Sequence, residues 1–205
     1  MKSLRCLFQM LICLANDIAM AALEKFLVAG DSFVRRLQSH QNRFHATTLS
    51  VRGRVVDMKG YSGKGVRDVR LYLQNMSQSV YSVICLSVGG NDLCCASRTP
   101  AHVVSDLLSL AQELVSAGSV QVIICQLLHR ASTSHFEGLS LAEYNDRVDR
   151  VNFLLQQNCV GPVKFWQHHH SVLGCNRLDD DGVHLNISGM NGFRRSVIAA
   201  LSSGA

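Results

Sequence analysis

Three short strings that lie far apart in the chain carry the side-chain types that acyl transfer requires. They are Gly30-Asp31-Ser32, Gly89-Gly90-Asn91-Asp92 and Asp181-Gly182-Val183-His184. The first supplies a hydroxyl, the second a primary amide, and the third a carboxylate with an imidazole. A serine hydroxyl becomes an effective nucleophile only when a base removes its proton, and neutral histidine suits that task near neutral pH. The three strings together therefore predict a serine nucleophile, provided that the fold brings them into contact.

The spacing around His184 selects it from the nine histidines of the chain. Asp181 lies three residues before His184 in a loop, where a short turn allows its carboxylate to orient the ring and to stabilise the imidazolium. Asp179 and Asp180 also precede this histidine, but only Asp181 has that spacing. We therefore expect Ser32 to be the nucleophile, His184 its base and Asp181 the orienting acid.

Asn91 follows two glycines at the predicted end of a strand. Attack on a carbonyl group creates a negatively charged oxygen, which needs hydrogen-bond donors that are in place before the reaction. Because glycines allow the backbone to turn sharply, the side-chain amide of Asn91 can be directed at that oxygen. We expect Asn91 to be one donor of an oxyanion hole.

Strand and helix patterns alternate along the chain and place the three strings next to the ends of strands. Buried strands are predicted at Phe26 to Gly30, Thr48 to Met58, Ser82 to Val88, Val120 to Leu127 and Val163 to Trp166. Thr99-Pro100 is typical of a helix start and Gly118 of a helix end. The alternation predicts one α/β domain, a three-layer α/β/α sandwich around a parallel sheet, with the strings along the carboxyl edge of that sheet.

These motifs resemble those of the SGNH hydrolases, the superfamily of GDSL esterases and lipases. Phe26 to Ser32 resembles the first sequence block of that superfamily, Val88 to Asp92 the third, and Asp181 to His184 the fifth. The resemblance covers nearly all of residues 26–203. It implies a five-stranded parallel sheet in the flavodoxin-like order 2-1-3-4-5, a serine esterase, and a mechanism without cofactor or metal. It assigns the triad to the residues already selected: Ser32, Asp181 and His184.

The resemblance also implies a set of oxyanion donors. They are the backbone N–H of Ser32, the side chain of Asn91, and the backbone N–H of a glycine in the second block of the superfamily. Gly63 is the best match for that glycine in this chain. Gly60 and Gly65 remain open, because the threonine that is usual in this block is absent.

Within the superfamily, a finer resemblance concerns Ser32 to Leu37, Phe165-Trp166 and Asp181 to Asn186. These strings are similar to uncharacterised esterase-like domains of marine invertebrates, some of them associated with retroelement polyproteins. A fold and its triad do not fix what is cleaved. Two functions therefore follow: an esterase for short acyl or acetyl esters, and a catalytically degenerate module that binds nucleic acid or protein in a retroelement-like context.

Each string, taken alone, has a plainer interpretation. Gly-Asp-Ser is typical of a helix N-cap, with Asp31 or Ser32 as the capping residue. Gly-Gly-Asn-Asp is typical of a turn, and Asp181 and His184 are ordinary polar residues of a loop. The order of the three strings and their common place beside strand ends favour the catalytic interpretation.

Residues 1–22 stand apart from the α/β pattern. Two basic residues precede an apolar stretch, Cys6 to Ala15, and Ala19-Met20-Ala21 resembles a cleavage site, as in a signal peptide. Gln9 interrupts the stretch, so an amphipathic N-terminal helix or the remnant of a longer precursor is an equal alternative. The stretch is too short to span a bilayer securely. We assign residues 23–205 to the esterase domain.

Cysteine and histidine usage gives no indication of a metal site. Cys85 and Cys125 fall within predicted central strands, where free cysteine behaves as a small buried apolar residue. The cysteine spacings match neither a disulfide framework nor a zinc motif. His168-His169-His170 is more typical of a surface loop than of a metal site. No cofactor is expected, and these features favour the cytoplasm, or secretion if residues 1–22 are a signal peptide.

Positive charge is concentrated in one part of the chain. The net charge is +5, and the segment from Arg35 to Arg70 contains nine basic residues against two acidic ones. Such a region favours an anionic ligand, for example a phospholipid headgroup or nucleic acid. A solvated surface is the plainer alternative, because few aromatic residues interleave with the basic ones. The partner expected for the site itself is a small acyl ester, and the sequence specifies no oligomeric state.

Overall fold

The computed structural model describes residues 25–43, 49–76, 81–134, 137–170, 172 and 174–204. The strands are β1 (Lys25–Gly30), β2 (Leu49–Val51), β3 (Arg54–Gly60), β4 (Tyr81–Ser87), β5 (Gln121–Cys125) and β6 (Val163–Trp166). The helices are α1 (Ser32–Arg43), α2 (Val66–Gln74), α3 (Pro100–Ser116), α4 (Leu141–Asn158) and α5 (Ile187–Ser203). Residues 1–22, with the predicted signal peptide or N-terminal helix, lie outside these ranges. Within the ranges, no helix is long and apolar enough to cross a membrane.

Local sequence signals set the starts of α3 and α4, the long helices that precede and follow β5 in the sequence. Thr99 precedes α3, and its hydroxyl accepts the N–H of His102 at 3.3 Å, while Pro100 occupies the first helical position. Ser140 and Glu143 satisfy each other's backbone N–H groups at the start of α4. The predicted helix start at Thr99-Pro100 is confirmed.

The six strands form one mixed sheet in the order β2-β3-β1-β4-β5-β6. The series β3-β1-β4-β5-β6 is parallel throughout. This confirms the predicted doubly wound order, which is 2-1-3-4-5 when β2 is left out. The five parallel strands are present as predicted, and the sheet has one strand more than expected, because β2 adds an antiparallel strand at the edge beside β3.

The additional strand comes from a hairpin inside the single strand predicted at Thr48 to Met58. Arg52 (φ 51°) and Gly53 (φ 77°) form a two-residue turn that joins β2 to β3. Two successive positive φ angles match the twist of paired strands, and such turns usually contain Asn-Gly or Asp-Gly. Arginine rarely adopts a positive φ. The hairpin therefore carries no recognisable turn signal in the sequence.

Apolar side chains fill the space on both faces of the sheet. In β1, Leu27 and Ala29 belong to the core that includes α2, α3 and α4, whereas Phe26 and Val28 belong to the core that includes α1 and α5. This alternation follows from the two-residue period of a strand. Because β1 is central and covered on both faces, it requires a continuous apolar run. The result is the predicted three-layer sandwich.

His168 differs from its predicted surface position. It is buried, with its Nδ1 atom 2.8 Å from the Ser196 hydroxyl of α5 and its ring against Phe193. Burial lowers the pKa of His168 to about 4. The adjacent His169 and His170 are exposed, as predicted. His168 can be buried because Ser196, on a helix later in the chain, forms a hydrogen bond with one of its ring nitrogens.

Candidate active site

The turn from β1 into α1 presents Ser32 at the start of a helix. Asp31 caps that helix, since its carboxylate accepts the N–H of Phe33 (3.0 Å) and its carbonyl accepts the N–H of Arg35 (3.1 Å). Burial raises the pKa of Asp31 to about 7. Because Asp31 provides the cap, the Ser32 hydroxyl is left for another partner, and the Ser32 N–H lies at the positive end of the helix. The N-cap interpretation of Gly-Asp-Ser is thus compatible with the catalytic one.

A tight turn before α5 brings Asp181 beside His184. Gly182, with a φ of 67°, donates its N–H to the Asp179 carbonyl (2.9 Å), and the Asp179 N–H donates to the His184 carbonyl (2.7 Å). Oδ1 of Asp181 accepts the N–H groups of Val183 (2.9 Å) and His184 (2.8 Å). The turn therefore fixes the carboxylate through one oxygen and leaves the other for the imidazole.

Ser32, His184 and Asp181 form a continuous chain of hydrogen bonds. Ser32 Oγ is 2.9 Å from His184 Nε2, and His184 Nδ1 is 2.7 Å from Asp181 Oδ2. Although burial alone would raise it, the pKa of Asp181 is held well below its usual range by hydrogen bonds from the backbone and ring of His184 and from the Val183 N–H. The carboxylate is ionised near neutral pH, so Nδ1 carries the ring proton and Nε2 accepts from the serine hydroxyl. In this arrangement a histidine can act as base for a serine.

Arg36 lies one helical turn after Ser32 and reaches the same carboxylate. Its guanidinium is 3.4 Å from Asp181 Oδ2 and 3.5 Å from Asp179 Oδ2. These exposed ion pairs contribute little to stability, but they place a positive charge beside the Asp181 oxygen that the imidazole contacts. Sequence reasoning missed Arg36. Its spacing of four residues from Ser32 is the signal that indicates it, because such residues share one face of a helix.

Asn91 lies after β4, and its side-chain amide is held on both sides. Its Oδ1 accepts from Arg130 Nη2 (2.8 Å), and its Nδ2 donates to the Lys64 carbonyl (3.0 Å). A primary amide has two N–H groups. One of them therefore remains for a molecule bound in the cleft that Asn91 and Ser32 line together.

That cleft has a volume of about 530 Å³. Small or polar residues form most of its lining: Ser32, Arg36, Ser62, Gly63, Asn91, Cys94, Cys95, Glu137, Val183 and His184. A larger groove of about 820 Å³ shares Arg36 with the cleft and continues along α1 and the start of α5. The three sequence strings thus converge on one concave surface at the carboxyl edge of the sheet, as predicted.

The three candidate glycines of the second block have different surroundings. Gly63 lines the cleft, has a φ of 70°, and has no atom within 4 Å of the place that a Cβ would occupy. A Cβ on Gly60 would lie 2.0 Å from the backbone nitrogen of Arg35. A Cβ on Gly65 would lie 2.7 Å from a carboxylate oxygen of Asp92. Close packing accounts for Gly60 and Gly65, whereas the position of Gly63 favours it as a donor to the cleft.

Some basic residues of the segment from Arg35 to Arg70 form ion pairs, and others are exposed. Lys64 pairs with Asp68 at 3.8 Å, and Arg70 pairs with Glu113 at 3.4 Å. Exposed members of the segment are Arg35, Arg52, Lys59 and Arg67. The ion pairs reduce the positive charge that this segment offers to an anionic ligand.

Within the described ranges, no group of three or more His, Cys, Asp or Glu residues is placed to hold a metal ion. Cys85 and Cys125 are fully buried on β4 and β5, as predicted, with their Sγ atoms 3.2 Å apart.

Sequence reasoning also missed the residues that support Asn91. Arg130 follows β5 in a loop that has no recognisable motif. Tyr144 lies on α4. It is buried there, and its hydroxyl donates to the Gly90 carbonyl at 3.1 Å. The proximity of Arg130 and Tyr144 to the Asn91 turn depends on the tertiary fold, so no local pattern indicates it.

Comparison with solved structures agrees with this architecture. No protein-family model and no curated protein matches the sequence. A GDSL-like lipase from Bacteroides thetaiotaomicron is 16% identical, with 89% of each chain covered and a TM-score of 0.70. The lipase/acylhydrolase from Enterococcus faecalis is 15% identical over 87% of this chain and 95% of that one, with a TM-score of 0.61.

A third similar structure is that of a carbohydrate esterase. The carbohydrate esterase family 3 structure from Talaromyces cellulolyticus is 15% identical over 87% of this chain and 96% of that one, with a TM-score of 0.60. At these identities the likeness concerns the fold. The chain has the fold of the SGNH hydrolases, as its motifs predicted.

Proposed function

We propose that the chain is a serine esterase of the SGNH type that hydrolyses short-chain acyl or acetyl esters. The observation that carries the proposal is the chain of hydrogen bonds from Ser32 through His184 to Asp181, at 2.9 and 2.7 Å, beside an open cleft. Solved structures with the same fold include lipases and a carbohydrate esterase. Their names support ester hydrolysis as the class of reaction.

The first half of the proposed reaction forms an acyl-enzyme. Ser32 Oγ attacks the ester carbonyl carbon while its proton passes to His184 Nε2. The resulting imidazolium donates its Nδ1 proton in a hydrogen bond to Asp181, which stays ionised. We assign the Ser32 N–H, the Gly63 N–H and the free Nδ2 hydrogen of Asn91 as donors to the oxyanion. When the intermediate collapses, the alcohol oxygen leaves with the proton from His184.

The second half of the reaction uses water. His184 Nε2 takes a proton from the water molecule as its oxygen attacks the acyl carbon. The same donors stabilise the second oxyanion. Collapse breaks the bond to Ser32 Oγ, which recovers a proton from His184, and the carboxylic acid is released.

The lining of the cleft favours a short acyl group. A long fatty acyl chain requires an extended apolar surface. Among the described residues that line the cleft, Val183 is the one branched aliphatic side chain. Ser62 and Glu137 instead offer hydrogen-bonding groups. We therefore propose an ester of a small acid with a polar alcohol as the substrate class.

Replacement of the nucleophile tests the proposal. Ser32→Ala should lower kcat toward p-nitrophenyl acetate by at least roughly a thousandfold with little change in thermal unfolding. A fluorophosphonate probe should label Ser32 in the unsubstituted protein. Ser39→Ala is the control, since Ser39 lies on the same helix and its hydroxyl donates to the Arg35 carbonyl (3.1 Å). Retention of most activity in Ser32→Ala would remove the proposal.

The second candidate function, binding by a catalytically inactive module, is favoured by exposed basic residues such as Arg35, Lys59 and Arg67. It predicts that the unsubstituted protein hydrolyses no short-chain ester. It also predicts RNA binding with an affinity that falls steeply as salt rises. Ester turnover and salt-dependent RNA binding, measured on one preparation, separate the two functions.

A further inference from the structure

Arg130 is a buried arginine next to the proposed oxyanion hole, and it belongs to none of the sequence motifs. It is only 5% exposed. Burial of a guanidinium is costly unless its donors are satisfied, so its contacts indicate what it does. We propose that Arg130 is a positioning residue for catalysis, which orients and polarises the side-chain amide of Asn91. This inference rests on the proposed function.

The guanidinium is directed at the turn that contains Asn91. Nη2 of Arg130 donates to Asn91 Oδ1 at 2.8 Å, and Nη1 donates to Cys94 Sγ at 2.9 Å. The guanidinium carbon lies 5.0 Å from the centre of the Tyr144 ring. The Tyr144 hydroxyl donates to the Gly90 carbonyl at 3.1 Å. Arg130 and Tyr144 together hold the turn at its beginning and at its end.

The two partners of the Asn91 side chain permit one orientation of the amide. Arginine only donates hydrogen bonds, so the amide atom that faces Arg130 must be the oxygen. The Lys64 carbonyl only accepts, so the atom that faces it at 3.0 Å must be the nitrogen. A flipped amide would oppose donor to donor and acceptor to acceptor. The second hydrogen of Nδ2 is therefore available in a fixed direction when an oxyanion forms.

The charge of Arg130 also strengthens Asn91 as a donor. Hydrogen bonds to charged groups are stronger than neutral ones, and successive hydrogen bonds in a low-dielectric interior polarise one another. Electron density drawn toward Oδ1 leaves the Nδ2 hydrogens more positive. The stronger hydrogen bond from Asn91 Nδ2 stabilises the carbonyl oxygen of the substrate most when that oxygen becomes negative. Loss of Arg130 should therefore affect kcat more than KM.

The loop that carries Arg130 is fixed at its backbone as well. Arg130 N–H donates to Asn145 Oδ1, and Asn145 Nδ2 donates to the Arg130 carbonyl, both at 3.0 Å. The N–H of the next residue, Ala131, donates to the Gly182 carbonyl at 2.7 Å. Gly182 belongs to the turn that holds His184. One short loop thus connects the donor side of the site with its acid-base side.

A structural role is the competing explanation for Arg130. Its positive charge acts on Asp31, the buried carboxylate that caps α1. Removal of that charge would destabilise the fold without a specific effect on the reaction. The two explanations differ in whether the effect of Arg130 on kcat depends on Asn91.

A double-mutant cycle with p-nitrophenyl acetate distinguishes them. Arg130→Lys keeps the charge but loses the planar fork, and we expect kcat to fall roughly tenfold or more with KM within about twofold. Asn91→Ala alone should lower kcat roughly a hundredfold. Arg130→Lys should have no further effect in the Asn91→Ala protein, because the amide that it positions is absent. Arg70→Lys is the control, since Arg70 donates to the Asp106 carbonyl at 3.0 Å and does not line the cleft.

Losses that multiply in the double variant would overturn the inference, as would an unchanged kcat in Arg130→Lys. Arg130→Gln, which retains a neutral donor, is the second variant if Arg130→Lys does not fold. If neither folds, the structural explanation is correct and the inference fails. An unsubstituted protein without esterase activity, or a fully active Ser32→Ala, would instead contradict the proposed function. Activity that depends on Ser32 but is indifferent to Arg130→Lys would contradict this inference alone.

Discussion

Asp179 and Asp181 both face Arg36, but their other contacts differ. Asp181 accepts the Nδ1 proton of His184 at 2.7 Å. The Asp179 carboxylate instead accepts the N–H of Asp180 at 3.1 Å and lies half-exposed at the surface. Two like residues in one loop thus provide a matched pair for a test of the acid-base assignment.

Asp181→Ala should lower kcat roughly a thousandfold or more, because His184 loses the acceptor that orients it and stabilises its charged form. Asp179→Ala should change kcat by less than about threefold, since it removes an exposed ion pair and one exposed hydrogen bond from the Asp180 N–H. Steady-state hydrolysis of p-nitrophenyl acetate measures both. Equal losses in the two variants would show that the shape of the loop, and not the Asp181 carboxylate, is what activity requires.

At the residue scale, the sequence predicted those site residues that belong to a recognisable local motif. Ser32 and Asn91 each follow glycines at a strand end, and Asp181 and His184 share one turn. The structure brings these residues together as expected. Arg130 was missed because its contact with Asn91 joins positions 39 residues apart and leaves no local pattern.

Among the elements, α1 and β3 lie in close backbone contact at Gly60. A Cβ at this position would lie 2.0 Å from the nitrogen and 2.4 Å from the Cα of Arg35. These are backbone atoms, so no side-chain movement relieves the clash. The position of α1, and hence of Ser32 at its start, depends on the absence of a side chain at Gly60.

Gly60→Ala should destabilise the protein by about 1–3 kcal/mol or more, because α1 must move away from the sheet. Ester turnover should fall as well, since Ser32 moves with the helix. Urea unfolding and p-nitrophenyl acetate hydrolysis measure the two effects. Lys59→Ala is the control: Lys59 is exposed on the same strand and its replacement should change stability by less than about 0.5 kcal/mol. A Gly60→Ala protein with the same urea midpoint would contradict this account of the α1–β3 contact.

The elements were largely predictable because each has a local cause. The apolar runs of the central strands and the Thr99-Pro100 helix start have counterparts at nearly the predicted positions. The β2–β3 hairpin was missed because Arg52 occupies a turn position where asparagine or aspartate is usual. His168 was placed at the surface because its partner, Ser196, is 28 residues away.

For the molecule as a whole, burial of titratable groups couples stability to pH. The pKa of His168, ordinarily 6.5, is lowered to about 4 by burial. Between these values the unfolded chain binds a proton that the folded chain does not. The contribution of His168 to stability is therefore fully present above about pH 6.5 and is lost as the pH falls toward 4. Asp31, whose pKa burial raises to about 7, acts in the opposite direction over an overlapping range.

His168→Asn should isolate this contribution. Asparagine keeps a polar atom near Ser196 but does not titrate, so the variant should lack a pH-dependent loss of up to about 3 kcal/mol between pH 6.5 and pH 4. Urea unfolding at a series of pH values gives the free energy of unfolding of the variant and of the unsubstituted protein. Asp31 is present in both, so its effect cancels in the difference between them. His169→Asn is the control, because that ring is exposed. Parallel pH profiles for His168→Asn and the unsubstituted protein would contradict the prediction.

The β2–β3 hairpin determines what the sheet offers to a neighbouring molecule. Without β2, β3 would be an edge strand of seven residues, and its unpaired backbone groups could pair with a strand from another chain. β2 has only three residues, and Arg52 adds a charged side chain at its turn. β6, the edge strand on the opposite side of the sheet, has four residues. Short edge strands are poor templates for strand addition, so the fold disfavours the edge-to-edge pairing through which sheets grow into fibrils.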